Sequence, residues 1–352
     1  MFYYSLIQII PVMKKHLFAA VAMAAALFTS CNKDNEPIAP NPADADGSTV
    51  CITFTDAADT RTFFDTTAAA EAWEKLLSSL AVFVFDDAGA LIVRRDFTAS
   101  ELTTKSATFA LPKSAAGTTC SFYAVANIDA SSVLTEAALT ALVENAAAAY
   151  NGTFAEVSTA TKRSGGFVMS GSTTKTVGAV NSTTNVGITL KRTVAKVVLQ
   201  AAIDPSFTQK YGGTLTINSV KLSKAASQSL VMAGTPTPGA MTFTHTQTPA
   251  AASGKYNSLF YIYENGPLTA GNRVLLEIDA TYDMDGNAAT TDDRSEVTYS
   301  VELAGKAAGE VLRNGYYRVA ANITDLVGQD CTVSVTVADW ETPITQNVDL
   351  GA

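Results

Sequence analysis

Residues 80–93 read LAVFVFDDAGALIV, and this stretch carries the clearest local signal of the fold. Leu80 to Phe85 is an apolar run, rich in β-branched and aromatic residues and of the length of one strand. Asp87-Ala88-Gly89 supplies turn residues, and a second apolar run, LIVRRDF, follows at once. The order of strand, tight turn and strand predicts a β-hairpin whose first strand is buried.

Strand patterns recur on both sides of this hairpin. Val50, Ile52 and Phe54 alternate with a cysteine and two threonines, which is the period-two pattern of a strand. Further strand-like segments are SATFALP, CSFYAVANI, GGFVMSG, VGITL, RTVAKVVLQAAI, GTLTINSVKL, SLFYIYEN, RVLLEIDATY, EVTYSVEL, YYRVAANIT and CTVSVTVADW. Turn residues separate them at short intervals, so we expect a mainly β protein built as a sandwich or open barrel.

Two segments with helical periodicity interrupt the strand patterns. One runs from about Ala68 to Leu80, where four large apolar residues recur at helical spacing. The other runs from about Glu136 to Tyr150, with Thr135 as the expected N-cap and Asn151-Gly152 as the expected end. We therefore predict a few short helices beside the sheets.

The composition limits the classes of function. The chain has 352 residues, of which 47% are hydrophobic and 16% are charged, so it can bury a substantial core. Its length is enough for about two domains. The formal net charge is −9, and binding to nucleic acid needs a basic face. We therefore expect no nucleic acid partner.

The N-terminal region has the features of an export signal. Met13-Lys14-Lys15 forms a charged start, and the apolar run from Leu17 to Phe28 is too short for a membrane span. Small residues precede Cys31, as in lipoprotein signal peptides, and a polar stretch follows it. We therefore expect a signal peptide over residues 1–30, with Met13 as the true start, and lipidation of Cys31. An ordinary secretory signal with an incidental cysteine is the alternative.

The other three cysteines, Cys51, Cys120 and Cys331, each lie singly in a strand pattern, and the chain has no CxxC motif. Metal or redox chemistry is therefore not expected of them. We interpret them as buried free thiols. A disulfide among them is left open.

No set of residues predicts catalysis. His16 would leave with the signal peptide, and we interpret His245, in the polar segment FTHTQT, as a surface residue. No histidine is then left for a nucleophile–histidine site, and no GxSxG, P-loop or dinucleotide-binding glycine pattern occurs. Glu264 is interpreted as the end of a strand before a turn. We expect neither catalytic nor cofactor-binding residues and assign no enzyme activity.

The segment from Asp283 to Asp293 resembles a calcium loop in composition. With Asp283 as position 1, the glycine is at position 4. An EF-hand loop needs glycine at position 6 and glutamate at position 12. We interpret the segment as the tip of a hairpin and expect no metal site there.

Six motifs together give the chain a family resemblance. They are LAVFVFDDAGAL, GFVMSG, LKRTVAKVVL, FYIYEN, RNGYYRVAANITDL and VSVTVADWE, in that order behind a lipoprotein-like leader. In these features the chain resembles the FimA-type fimbrillins, the lipoprotein-derived subunits of type V pili. The resemblance implies two transthyretin-like β-sandwich domains in tandem. It also implies a lipidated precursor that is cleaved after an arginine by a trypsin-like protease and polymerises by strand exchange.

The resemblance gives roles to particular segments. Lipid on Cys31 would hold the precursor at the outer membrane. Arg61 is the only basic residue between Lys33 and Lys75, and we expect an arginine-specific protease to cut after it. The cut would remove the first strand, which carries Val50, Ile52 and Phe54. The expected donor strand is the C-terminal extension, and we infer from alternation that Ile344, Val348 and Leu350 would occupy the vacated pockets.

The expected organisation follows from these roles. It is a signal peptide (1–30), a polar tether (31–48), an N-terminal β-sandwich domain (49–190), a C-terminal β-sandwich domain (191–340) and a donor-strand extension (341–352). The expected function is that of a structural subunit of a cell-surface fimbrium that supports adhesion. Its partners would be other fimbrial subunits, the processing protease and, before cleavage, outer membrane lipid. The alternative is a lipoprotein that stays anchored in the outer membrane and binds glycans or host proteins without polymerising.

Overall fold

The computed structural model describes residues 47–56, 70–159, 162, 165–234, 241–246, 254–305 and 308–327, with the backbone alone of 338–339 and 345–350. The strands of the first half are β1 Ser48–Asp56, β2 Leu80–Phe85, β3 Leu91–Asp96, β4 Ser106–Leu111, β5 Thr119–Ala126, β6 Val143–Glu144, β7 Met169–Thr176 and β8 Thr183–Arg192. Those of the second half are β9 Val194–Ile203, β10 Thr214–Ala225, β11 Ser229–Leu230, β12 Met241–Thr246, β13 Lys255–Tyr263, β14 Leu275–Asp283, β15 Arg294–Glu302, β16 Gly315–Ile323, β17 Ala338–Asp339 and β18 Thr345–Leu350. The expected mainly β fold is confirmed.

The helices are all short. The α-helices among the described residues are α1 Ala99–Thr104, α2 Glu136–Thr140, α3 Ala147–Tyr150, α4 Phe154–Val157 and α5 Pro205–Tyr211. Single turns of 3₁₀-helix lie at Ala72–Lys75 and Lys113–Ala115. No helix in the described part of the chain combines the length and the apolar character needed to cross a membrane.

The first half of the chain forms a seven-stranded sheet with the order β3-β2-β5-β7-β8-β1-β4. The contact between β7 and β8 is limited to Met169↔Arg192 and Ser170↔Lys191. Strands on both sides of this narrow contact contribute to one apolar cluster, which includes Phe122 of β5. The sheet thus encloses a core between its two parts, as a sandwich does.

Most of the described strands of the second half form two sheets, and the short strand β11 pairs with β6. One has the order β12-β10-β14-β15, and the other has the order β13-β9-β16, with β17 and β18 both pairing with β16. The two sheets share a core that includes Val197 of β9 and Ile278 of β14. The predicted domain division after residue 190 falls inside β8 and stays a prediction.

The hairpin predicted at residues 80–93 is confirmed. All six residues of β2 are buried, and β2 pairs antiparallel with β3. The Asp86 carboxylate accepts the N–H groups of Ala88 and Ala90 at 3.0 and 2.8 Å, which holds the turn. Gly89 has φ +77°, a conformation that favours glycine.

The predicted helix from about Ala68 to Leu80 is wrong over its described part. Only the single 3₁₀ turn at Ala72–Lys75 forms, and the backbone is extended at Leu76. Asn127 explains the extended path, because its side-chain oxygen accepts the N–H of Ser78 at 2.8 Å and its amide donates to the carbonyl of Leu76 at 2.7 Å. A tertiary contact therefore satisfies backbone groups that a helix would have satisfied internally.

The predicted helix from about Glu136 to Tyr150 is also wrong as one element. It is divided into α2 and α3 by β6, which pairs with β11 from the second half of the chain. The predicted N-cap is confirmed, because the Thr135 hydroxyl accepts the N–H of Ala138 at 3.1 Å. Strand pairing over a long sequence distance thus overrides the local helical period.

Two interpretations of single residues need correction. His245 is 1% exposed and is not a surface residue. Cys51 is disulfide-bonded, and its partner lies outside the described residues. Cys120 is a buried free thiol, as expected.

Candidate assembly site

Strand β1 is an internal strand of its sheet although it begins the described part of the chain. It pairs antiparallel with β4 from Ser48↔Leu111 to Thr53↔Ser106. On its other side it pairs parallel with β8 from Thr49↔Thr183 to Asp56↔Leu190. Both neighbours are distant in sequence, so the hydrogen bonds of β1 close the sheet between them.

The inward face of β1 carries the three residues expected from the sequence. Val50 and Ile52 are fully buried, and Phe54 is 5% exposed. They lie in the same apolar cluster as Phe109 of β4 and Ile188 of β8. Phe54 also packs edge to face against Phe97 with ring centroids 5.2 Å apart. The predicted strand and its buried face are therefore confirmed.

Both ends of β1 are held by contacts with neighbouring loops. The Ser48 hydroxyl donates to the carbonyls of Gly178 and Ala179 at 2.9 and 3.1 Å. At the other end the Phe54 N–H donates to the carbonyl of Lys105 at 2.9 Å. These contacts fix the register of β1, because a slip by one residue would turn its apolar face away from the core.

The arrangement defines what the sheet would present without β1. Among the described strands β4 has no other partner, and β8 would retain only its narrow contact with β7. Backbone donors and acceptors would then line both sides of an apolar groove about 9–10 Å wide between the two strand axes. Such a groove can bind an extended strand by main-chain hydrogen bonds and can select its side chains at alternate positions.

The C-terminal strand β18 lies on the other half of the molecule. Its backbone pairs in parallel with β16, from Arg318↔Thr345 to Ile323↔Leu350. Val348 and Leu350, two of the predicted donor residues, are therefore in a strand of the chain's own second half. Ile344, Cys31 and Arg61 lie outside the described residues, and their roles stay predictions.

A buried ion pair joins the two halves beside β9. The Lys196 Nζ lies 2.8 Å from Glu74 Oε1, and both side chains are at most 1% exposed. Tyr261 donates its hydroxyl to the same carboxylate. Arg192 donates through Nε to the Glu74 carbonyl at 2.8 Å. Glu74 comes from the first half of the chain and its partners from β8, β9 and β13, so this cluster fixes the junction.

A second polar contact forms where β11 meets β6. Arg313 donates to the carbonyls of Leu230 and Val231 at 2.8 and 3.0 Å. It also forms an ion pair with Glu264, which follows β13. The interpretation of Glu264 as a strand end is confirmed, and its partner in the described structure is an arginine.

Glu74, Lys196 and Arg313 were not singled out from the sequence, although the sequence carries a signal for one of them. Lys196 is the one charged residue in the run VAKVVL. A lysine inside an otherwise apolar strand run indicates a buried partner, because an unpaired charge is too costly to bury. The partner itself is 122 residues away and has no local signature.

His245 belongs to the same junction. Its ring stacks on Phe260 with centroids 4.3 Å apart and meets Phe154 of α4 edge to face at 6.5 Å. Burial lowers the pKa of His245 to about 4, and an interaction with the Gly152 backbone acts weakly in the opposite direction. The imidazole is therefore neutral at pH 7 and serves packing.

Comparisons with known proteins agree with this geometry. The profile of one family, described as major fimbrial subunit protein (FimA), matches residues 48–248. No curated protein gave a match. The family match covers more than half of the chain and includes all three strands of the groove, β1, β4 and β8.

Solved structures share the fold. A candidate cell adhesion protein from Bacteroides eggerthii is 18% identical with a TM-score of 0.57, over 88% of this chain and 100% of that one. A FimA fimbrilin from Porphyromonas gingivalis is 15% identical with a TM-score of 0.53, over 86% and 96%. A candidate cell adhesion protein from Parabacteroides distasonis is 15% identical with a TM-score of 0.52, over 80% and 89%. The chain thus belongs to the FimA family of major fimbrial subunit proteins and is a structural subunit of a cell-surface fimbrium rather than an enzyme.

Proposed function

We propose that this fimbrial subunit is exported as a lipidated precursor, is cleaved after Arg61 and then polymerises by donor-strand exchange. The observation that carries the proposal is the position of β1. This strand lies between two other strands of its sheet, yet it precedes Arg61 in the sequence. A cut after Arg61 would break the polypeptide between β1 and the rest of the chain. Once the disulfide of Cys51 is also reduced, β1 would leave together with Cys31 and its lipid.

The stability that β1 contributes to the domain indicates that another strand would have to replace it. Burial of Val50, Ile52 and Phe54 contributes about 1.5–3 kcal/mol each. The net stability of a typical domain is only about 5–15 kcal/mol. Loss of β1 would therefore remove a large part of that stability, and a strand that enters the groove would restore it.

The C-terminal extension fits the groove by its pattern and its conformation. Ile344, Val348 and Leu350 are separated by even numbers of residues, so their side chains would lie on one face of an extended strand. Val50, Ile52 and Phe54 share one face of β1 for the same reason. The backbone of 345–350 is already extended in β18. In a neighbour's groove the donor would take the direction of β1, parallel to β8 and antiparallel to β4.

The order of events follows from the same geometry. A precursor that retains β1 has no open groove, so it cannot accept a donor strand before cleavage. Lipid on Cys31 would hold this inactive form at the outer membrane, since the three acyl chains usual for bacterial lipoproteins anchor firmly. Cleavage by an arginine-specific protease, with the disulfide of Cys51 reduced, would release the subunit and open its groove.

We further infer that the assembled fimbrium supports adhesion, as the names of two structural relatives suggest. The competing function, an anchored module that binds glycans or host proteins without polymerising, requires that the lipid and β1 stay on the mature protein. The state of the N-terminus therefore separates the two functions.

The test is limited proteolysis of the purified, unlipidated precursor with an arginine-specific protease, in the presence of a thiol reductant that opens the disulfide of Cys51. We expect a new N-terminus at Thr62 and, after cleavage, ladders on gels or filaments in electron micrographs. An Arg61→Gln variant is the matched control and should stay intact and monomeric. Arg94 and Arg95 lie in β3, and Arg95 is buried and paired with Glu101, so they should resist cleavage.

Three outcomes would contradict the proposal. An intact chain would exclude Arg61 as the processing site. A cut after Arg61 that leaves only stable monomers would exclude strand exchange between identical subunits. Polymerisation of the Arg61→Gln variant would show that release of β1 is not needed for assembly.

A further inference from the structure

The tip of the β14–β15 hairpin brings three carboxylates together. Asp283 ends β14, Asp293 precedes β15, and Asp285 lies in the connection between them. Each offers one oxygen, and these oxygens all lie within 4.8 Å of one another. A set of this size and composition matches the oxygen ligands of a hard divalent cation.

Two oxygens in this cluster are buried without any partner. Oδ1 of Asp283 and Oδ1 of Asp293 are out of contact with solvent, and no described group donates a hydrogen bond to either. Asp283 as a whole residue is only 8% exposed. An unpaired buried acceptor is costly, and a charged one is more so. A cation bound in the cluster would give these oxygens a partner.

The other oxygens of the cluster are already used and hold the carboxylates in place. Oδ2 of Asp283 accepts from Nε of Arg294 at 3.1 Å, and Oδ2 of Asp293 accepts the N–H of Asp285 at 2.7 Å. Oδ1 of Asp285 accepts the N–H of Asn287 at 2.7 Å. Arg294 compensates one of the three negative charges, so a net charge of −2 remains beside the two unpaired oxygens.

We propose that this hairpin tip is a calcium site formed by Asp283, Asp285 and Asp293. Carboxylate oxygens suit hard cations, and calcium accepts flexible arrangements of oxygen ligands, whereas magnesium needs a near-ideal octahedral set. The exposed side of Asp285 leaves room for water as additional ligands. With three protein ligands the affinity should lie at about 10⁻⁴–10⁻³ M, the range of extracellular calcium modules.

A search of the sequence for the ligand spacing of an EF-hand would not identify this site. An EF-hand takes its ligands from one continuous loop at fixed intervals. Here the ligands come from the two arms of a hairpin, so the register Asp283↔Arg294 sets their distance. Bound calcium would tie the end of β14 to the start of β15, which is the edge strand of its sheet.

The test uses the full unlipidated chain after removal of metal with a chelator. Thermal unfolding is measured at several CaCl₂ concentrations up to 10 mM, with NaCl at matched ionic strength as the reference. We expect calcium to raise Tm by about 2–4 °C. Terbium, which replaces calcium and is sensitised by nearby tyrosine such as Tyr282, should give emission that calcium displaces.

Asp293→Asn and Asp285→Asn should each abolish the calcium-dependent rise in Tm and the terbium emission. Asp292→Asn is the matched control, because Asp292 is exposed, adjacent in sequence and outside the cluster. Circular dichroism checks that each variant is folded. Since Asp285 is exposed, its variant keeps the test decisive if the Asp293 variant does not fold.

Two results would overturn the proposal. No change in Tm and no terbium emission in the wild type would mean that the three carboxylates bind no calcium. An equal response in Asp292→Asn, Asp293→Asn and Asp285→Asn would mean that calcium binds elsewhere on the acidic surface.

Discussion

Glu74 and Lys196 illustrate how one buried pair can define a junction. A buried charge that loses its partner costs about 3–5 kcal/mol, whereas exposed pairs contribute less than about 1 kcal/mol. We therefore expect Glu74→Gln to lower the free energy of unfolding by about 3–5 kcal/mol. Urea titration followed by tryptophan fluorescence measures the change.

The chain offers a matched control for this substitution. Lys221 and Glu277 form a pair with the same 2.8 Å separation, but Lys221 is 35% exposed. Glu277→Gln should cost less than about 1 kcal/mol. Equal losses in the two variants would show that burial does not set the importance of the Glu74 pair.

His245 predicts a pH dependence of stability. Its pKa is about 4 in the folded protein and about 6.5 in the unfolded chain. The unfolded chain therefore binds more protons between these values, and the free energy of unfolding falls as the pH is lowered from 6.5 to 4. The loss attributable to this group is about 3 kcal/mol by pH 4.

Replacing His245 by Phe isolates this contribution, because an aromatic ring remains between Phe260 and Phe154 while the titration is removed. The stability of His245→Phe should depend less on pH than that of the wild type between pH 6.5 and 4. Subtracting the two curves removes the contribution of the carboxylates to the pH dependence, because both proteins contain the same carboxylates. Parallel curves would mean that His245 does not titrate on unfolding in this range.

At the scale of secondary-structure elements, β1 is the strand that would be present in the precursor and removed from the mature subunit. Ile52→Ala should lower the stability of the precursor by about 2–5 kcal/mol, because Ile52 is fully buried. The same substitution should leave assembled fimbriae at wild-type stability, since residue 52 would have been removed. Thermal unfolding of the precursor and dissociation of fimbriae in denaturant measure the two effects.

Ile188→Ala in β8 is the matched control for this comparison. Ile188 is 2% exposed and lies in the same core, but β8 would stay in the mature subunit. It should destabilise both the precursor and the fimbriae. If Ile52→Ala weakened the fimbriae as Ile188→Ala does, β1 would still be present in them.

The elements themselves were predictable from the sequence to different degrees. Strands such as β2 and β14 follow local periodicity and turn residues, so their existence could be predicted. The two long helices could not be excluded locally, because Asn127 and β11, which replace or divide them, are far away in the sequence. The burial of His245 could not be predicted for the same reason. Its neighbours in FTHTQT are mostly polar, and the ring on which it stacks, Phe260, is not part of that segment.

The inner face of β1 was predictable from alternation, but its neighbours were not. The sequence around β1 does not indicate that this strand lies between β4 and β8, because both partners are distant in the sequence. It also does not indicate that β1 pairs antiparallel with β4 and parallel with β8. The roles of Cys31, Arg61 and the C-terminal extension came from family resemblance, and the described residues leave those roles as predictions.

At the scale of the whole molecule, the groove and the donor strand lie on opposite halves of the chain. Each processed subunit would have one groove, lined by β4 and β8, and one donor, which contains β18. A contact that joins unlike surfaces of identical subunits does not close by itself and generates a filament. The junction that contains Glu74 and Arg313 would connect the two halves within each subunit.

This asymmetry predicts a complex that can form once and grow no further. The Arg61→Gln precursor would have a donor strand but no groove. A subunit lacking residues 345–352, once cleaved after Arg61, would have a groove but no donor. Neither protein should polymerise alone, and an equimolar mixture should give only a one-to-one heterodimer, because one donor fills one groove. Size-exclusion chromatography with light scattering measures the mass after the protease has been inhibited.

The control mixture pairs the cleaved, truncated subunit with an Arg61→Gln precursor that also lacks residues 345–352. It should remain monomeric, because neither component carries a donor strand. A heterodimer in this control would place the contact outside the C-terminal extension. Filaments from the truncated subunit alone would show that another segment serves as the donor, and the assignment of Ile344, Val348 and Leu350 would then be wrong.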